Sequence, residues 1–127
     1  MNNHKYASKV HMVGRQSNMS NCYAAADVLV FPMRSAHQAR PIFEAGYFSI
    51  PVVISDFPNI KEDVLNDVNG MVFCPGDSKD LASKLEQLAL DKTLRVKLGI
   101  KNKEMFQKNH SGQININAIN NLNEELL

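Results

Sequence analysis

Residues 40–44, RPIFE, place an arginine, a proline and a carboxylate at the start of an apolar stretch that follows the strand-like run DVLVFP. If that run is a strand, residues 32–39 form the loop at its carboxyl end. A helix starting near Arg40 then points its N-terminus at the same place. Free amides and the positive end of the helix dipole favour an anion such as a phosphate there. Pro41 suits the first helical position because its missing N–H would be unpaired anyway, whereas Ala39, Arg40, Ile42 and Phe43 still offer amides. Arg40 adds a fixed charge with a forked donor face. Glu44 lies about one turn in, where a carboxylate would repel a phosphate but would accept hydrogen bonds from a neighbouring polyol such as a ribose. The same residues are also compatible with a plain helix start, with Glu44 complementing the dipole and Arg40 solvated. Spacing alone leaves both readings open.

Other chemistry is thinly represented. His4, His11, His37 and His110 lack metal-ligand spacing, no Ser-His-acid pattern is visible, and Cys22 and Cys74 are far apart. No metal site is expected. Fourteen Lys and Arg against 13 Asp and Glu give a formal charge of +1, so no overall field attracts nucleic acid. With no signal-peptide pattern and no long apolar span, the chain reads as cytoplasmic with reduced thiols, peripheral contact with a membrane remaining open.

The elements that must position these residues follow from hydropathy. Continuous β-branched runs at Val10–Val13, Val28–Phe31, Val52–Ser55 and Met71–Cys74 fit strands covered on both faces. Between them, Asn18–Ala26 and Pro41–Phe48 carry apolar residues at helical spacing, Met19, Tyr23 and Ala26 marking one face of the first. After the turn PGD, Leu81, Leu85 and Leu88 form a helical face, and Leu94, Leu98 and Met105 a second. In the tail, Ala118, Ile119, Leu122 and Leu126 share a face of a final helix, after the polar joint at Asn109–Gln113. Alternating strands and helices with short connections predict an α/β fold, a Rossmann-like open parallel sheet with helices on both faces, extra C-terminal helices, and ligands at the carboxyl ends of the strands.

The run from Asn21 to Leu85, NCYAAADVLVFPMRSAHQARPIFEAGYFSIPVVISDFPNIKEDVLNDVNGMVFCPGDSKDLASKL, carries a family pattern. Its matching positions are Tyr23, Ala26, Asp27, Pro32, Arg40, Pro41, Glu44, Ala45, Pro51, Val52 and Val53, then Glu62, Asn69, Gly70, Pro75, Gly76 and Asp77. In these it resembles the C-terminal donor-binding domain of the retaining group 1 family of two-domain (GT-B) glycosyltransferases, which includes polysaccharide-assembling enzymes. The resemblance implies that Glu44 is the second Glu of the family's E-x7-E motif and binds the ribose of a nucleotide-sugar donor such as a UDP- or GDP-sugar. It puts Gln38, Ala39 and Arg40 on the turn facing the diphosphate and sugar, with His37 beside them, and Gly14 and Arg15 beside the nucleobase. The motif's first Glu falls at Ala36, and His37 and Ala39 stand where the family has glycines.

In the resembled family the acceptor site, and the basic residues that stabilise the leaving diphosphate, belong to segments that do not fit into the nine residues before Val10. The expectation is therefore a single, incomplete nucleotide-sugar-binding domain over residues 1–127, needing no cofactor beyond its donor substrate and unable to transfer sugar alone. An uncovered sheet edge would be met by an N-terminal domain, a partner chain or a second copy. The competing expectation is a non-catalytic nucleotide-binding or protein-interaction module derived from the same fold.

Overall fold

The computed structural model describes residues 7–36 and 40–109. Three parallel strands form the sheet among these residues: β1 (Leu29–Phe31), β2 (Val52–Ser55) and β3 (Gly70–Phe73), in the spatial order β1-β2-β3. Leu29 pairs with Val52 and Phe31 with Ile54 on one side, and Val52 with Gly70 through Ser55 with Phe73 on the other. As the central strand, β2 is buried at all four positions, which is why VVIS shows no polar alternation.

Its side chains nevertheless alternate between two cores. Val52 and Ile54 pack with Tyr23 of α1 (Met19–Ala25) and with Ile42 and Ala45 of α2 (Arg40–Tyr47). Val53 faces the other way, onto Met71, Phe73, Leu88 of α3 (Ser78–Leu90) and Leu98 of α4 (Lys92–Asn109). Helices thus cover both faces, as the sequence predicts. Local chemistry fixes the helix starts: Asn18 caps α1 by accepting from the Asn21 amide, and Asp77 caps α3 by accepting from the Asp80 amide. Pro41 sits in the first turn of α2.

α4 lies across the amino ends of β2 and β3. Its Gly99 presses so closely on the Ser49 carbonyl that an added Cβ would clash with that oxygen. Ser49 itself turns the chain into β2 with φ of 59°. One turn on, the buried Asn102 donates to the Ile50 carbonyl at 2.9 Å and accepts from Asn69 at 3.1 Å. Asn69 also donates to the Asp63 carbonyl and accepts from the Leu65 amide. Two amide side chains thereby tie α4 to the turns that feed both β2 and β3.

Three expectations need revision or fall outside. Val10–Val13 forms no strand; Val10, Met12 and Val13 are 45%, 87% and 66% exposed, and no strand among the described residues lies beside them. A β-branched run becomes a strand only with a ladder partner, and this one has none among the described residues. β1 begins at Leu29 and β3 at Gly70, each one residue from the expected start. The expected tail helix, with Ala118 to Leu126, lies outside the described residues.

Replacing Asn102 by Ala leaves the Ile50 carbonyl and the Asn69 amide short of a buried partner. A loss of about 1–3 kcal/mol in folding stability is expected. Urea unfolding checks this: the midpoint should fall with the slope unchanged, and an unmoved midpoint would deny the pair its structural role.

Candidate functional site

The carboxyl ends of β1 and β2 open toward the amino end of α2. β1 gives way to Pro32 and the buried Met33, whose backbone is held in place by Ser55, the last residue of β2. The Ser55 hydroxyl accepts from the Met33 amide at 2.6 Å and donates to the Met33 carbonyl at 2.9 Å. This double bond ties the start of the loop to the central strand. Arg34, Ser35 and Ala36 follow on the surface, and His37, Gln38 and Ala39 lie outside the described residues. The chain resumes at Arg40, the first residue of α2.

Glu44 lies one turn into α2 and is only 4% exposed. The phenol of Tyr23, on α1, donates to its Oε2 at 2.5 Å, a short charge-assisted bond. On the other oxygen, Oε1, Arg40 Nε stands at 3.4 Å, with the arginine side chain 54% exposed. The two partners differ in rigidity. Tyr23 is buried and its ring stacks on Phe48 with centroids 5.4 Å apart and planes at 11°. Burial, then the hydrogen bond to Glu44, push its phenol well above the ordinary tyrosine range, so it remains a proton donor.

The structure thus joins two of the expected site residues, Arg40 and Glu44. It adds two the site reading left out. Tyr23 enters the sequence pattern as part of an apolar helical face, yet a phenol on a buried face requires a polar partner, and that requirement was the available signal. Ser55 closes an apolar run, and nothing local announces that its hydroxyl would reach back to the preceding loop. Gly14, with φ of 67°, and Arg15 are exposed, and no hydrogen bond or ion pair among the described residues connects them to Glu44. Glu44 is enclosed between α1 and its own first turn. No group of three or more His, Cys, Asp or Glu that could hold a metal occurs among the described residues. No described helix is long and apolar enough to cross a membrane.

A parallel three-stranded sheet with helices on both faces, and a helix start carrying Arg40 and Glu44 at the carboxyl edge, defines a Rossmann-like α/β domain of the kind found as the C-terminal half of GT-B enzymes. The chain belongs to the group 1 glycosyl transferases, whose family model matches residues 1–105. It is 27% identical over 105 residues to the capsular polysaccharide biosynthesis glycosyltransferase CapM of Staphylococcus aureus, covering 83% of this chain and 28% of that one. It is 31% identical over 93 residues to the sulfoquinovosyl transferase SQD2 of Arabidopsis thaliana, covering 71% of this chain and 18% of that protein. Among solved structures, the C-terminal domain of the group 1 protein LpcC from Francisella tularensis superposes with a TM-score of 0.68 at 22% identity, over 78% of this chain and 51% of that one. Anabaena HepE, solved with UDP-glucose, superposes with a TM-score of 0.68 at 21% identity, over 83% of this chain and 27% of that one. The chain therefore spans less than a third of the length of the two sequence relatives.

The Tyr23 phenol gives a pH test. Its folded pKa lies above the unfolded value of about 10, so the folded state holds a proton that the unfolded state releases. Its contribution to stability is complete below about pH 10 and declines as pH rises beyond it. Urea midpoints measured from about pH 8 to about pH 11 should fall more steeply for the unmodified chain than for Tyr23→Phe. Parallel curves would contradict the buried phenol.

Proposed function

We propose that this chain is the donor-binding part of a retaining glycosyltransferase in cell-surface polysaccharide synthesis. The observation that carries the reading is the enclosed carboxylate of Glu44 in the first turns of α2, beside Arg40 and at the carboxyl edge of β1. A helix N-terminus with a basic side chain suits the diphosphate of a nucleotide-sugar, while a carboxylate one turn further in suits the ribose hydroxyls. In this reading Glu44 is the second carboxylate of the family's paired motif, and Gln38, Ala39 and Arg40 face the diphosphate with His37 at the sugar side. Gly14 and Arg15 would flank the base. The donor is a UDP- or GDP-sugar, no other cofactor is called for, and the site works in the cytoplasm, where such donors are used.

The chemistry asked of these residues is binding and orientation. Arg40 and the α2 amides would offset charge growing on the leaving diphosphate, the kind of preorganised electrostatic term that lowers a barrier most. Transfer also needs an acceptor-binding half and further cations around the phosphates, which residues 1–127 do not supply under this reading. The chain alone then binds donor without transferring sugar, and completes its site with an N-terminal domain, a partner chain or a second copy. A specific observation favours a second reading: Ala36 stands at the place of the motif's first carboxylate, so donor-sugar recognition has lost one of its contacts. The chain would then be a non-catalytic nucleotide-binding or protein-interaction module.

Titration of the purified chain with UDP, GDP and UDP-glucose by calorimetry tests whether Glu44 belongs to a nucleotide-sugar site. Saturable binding is expected, and Glu44→Ala should weaken it by roughly 10- to 100-fold, the value of a charge-assisted hydrogen bond or two. Thermal unfolding must accompany it, because removing Glu44 leaves the Tyr23 hydroxyl without its acceptor. Nucleotide affinity that is absent, or indifferent to Glu44 in a folded variant, would favour the non-catalytic module.

A further inference from the structure

Glu44 has two oxygens in different circumstances. Oε2 receives a 2.5 Å bond from a buried phenol on a different helix, and that phenol's ring is clamped against Phe48. Oε1 faces Arg40 at 3.4 Å, a pair within one helix turn whose basic partner is half in solvent. Of the two partners, Arg40 is the more exposed and Tyr23 the one held in the core.

We propose that Tyr23 is a positioning residue for ribose recognition, holding one oxygen of Glu44 so that the other is presented to the ribose hydroxyls, and that it thereby sets preference for ribonucleotide over deoxyribonucleotide donors. The assignment rests on the reading of Glu44 given above. Three features carry it. A carboxylate on a helix has several rotamers, and only the cross-helix bond to Tyr23 selects the one turned toward α1. Tyr23 donates to Oε2 and leaves Oε1 for another partner. Its raised pKa keeps it a donor throughout the physiological range, so the hold on Glu44 does not lapse with pH. Arg40 lies on Oε1, with its side chain half in solvent.

The experiment is a double-mutant cycle on the full chain, read by affinity for UDP and for 2′-deoxy-UDP. The variants are Tyr23→Phe, Glu44→Gln and the two combined. Phenylalanine keeps the stack on Phe48 and removes only the hydroxyl, so the variant retains its packing, which thermal unfolding verifies. The unmodified chain should prefer UDP. Tyr23→Phe should weaken UDP about tenfold and leave 2′-deoxy-UDP nearly unchanged, bringing the ratio of the two toward one. In the Glu44→Gln background the same substitution should change neither affinity, because a residue acting through Glu44 has nothing left to position. A preference for UDP that survives in Tyr23→Phe, or a further loss when Tyr23→Phe is added to Glu44→Gln, would overturn the role of Tyr23 alone. Equal affinities in the unmodified chain, or no binding of either nucleotide, would overturn the ribose role of Glu44, and the assignment of Tyr23 with it.

Discussion

Everything in this fold is organised by the complete burial of β2. A parallel strand flanked by two others and covered on both faces must be apolar on both, and VVI meets that demand with β-branched residues alone. Its two ends then become the places where polar backbone has to be satisfied by something else. At the amino end, the Ile50 carbonyl is taken by Asn102 of α4; at the carboxyl end, the Ser55 hydroxyl closes on both polar groups of Met33. The first contact docks the long helix that seals one end of the sheet. The second fixes where the β1 loop departs at the other end. Structural closure and the candidate site are therefore segregated to opposite ends of the same strand.

The Tyr23–Glu44 pair shows the same economy of means on the polar side. A carboxylate held almost wholly out of water is unfavourable unless both oxygens are engaged. Here one is satisfied by a phenol from a different helix and the other by an arginine four residues earlier. Such a pair is weak evidence for stability in itself, since an apolar pair of similar shape can pack as well. Under the proposed donor-binding reading, its place one turn from a helix start is where a fixed carboxylate could recognise a ligand's hydroxyls.

Period and composition made most of the scaffold readable. Among the described residues, the core strands and the α-helices announce themselves because each is either a short β-branched run or a 3.6-residue pattern, and both are local properties. Val10–Val13 carries the same local signal and forms no strand, because pairing is a property of two segments and only one of them was being read. Arg40 and Glu44 were found through the helix start, a local rule. Tyr23 and Ser55 escaped the site reading because their roles depend on residues 21 and 22 positions away, across a crossover that local pattern does not resolve.

Ala36 sharpens what the remaining residues can do. Under the proposed donor-binding reading, with no carboxylate at that point of the loop, recognition at this edge leans on Glu44 at the ribose and on Arg40 and the α2 amides at the diphosphate, rather than on groups that grip the sugar. A contact to the ribose binds substrate and product nearly equally, since that part of the nucleotide is common to both, whereas contacts to the diphosphate strengthen as charge grows on it. Interactions that are equal in ground and transition states raise affinity without lowering the barrier. On that reading the differential part of the work comes from contacts to the diphosphate, the sugar and the acceptor, and the enclosed Glu44 anchors the part of the donor that does not change during transfer.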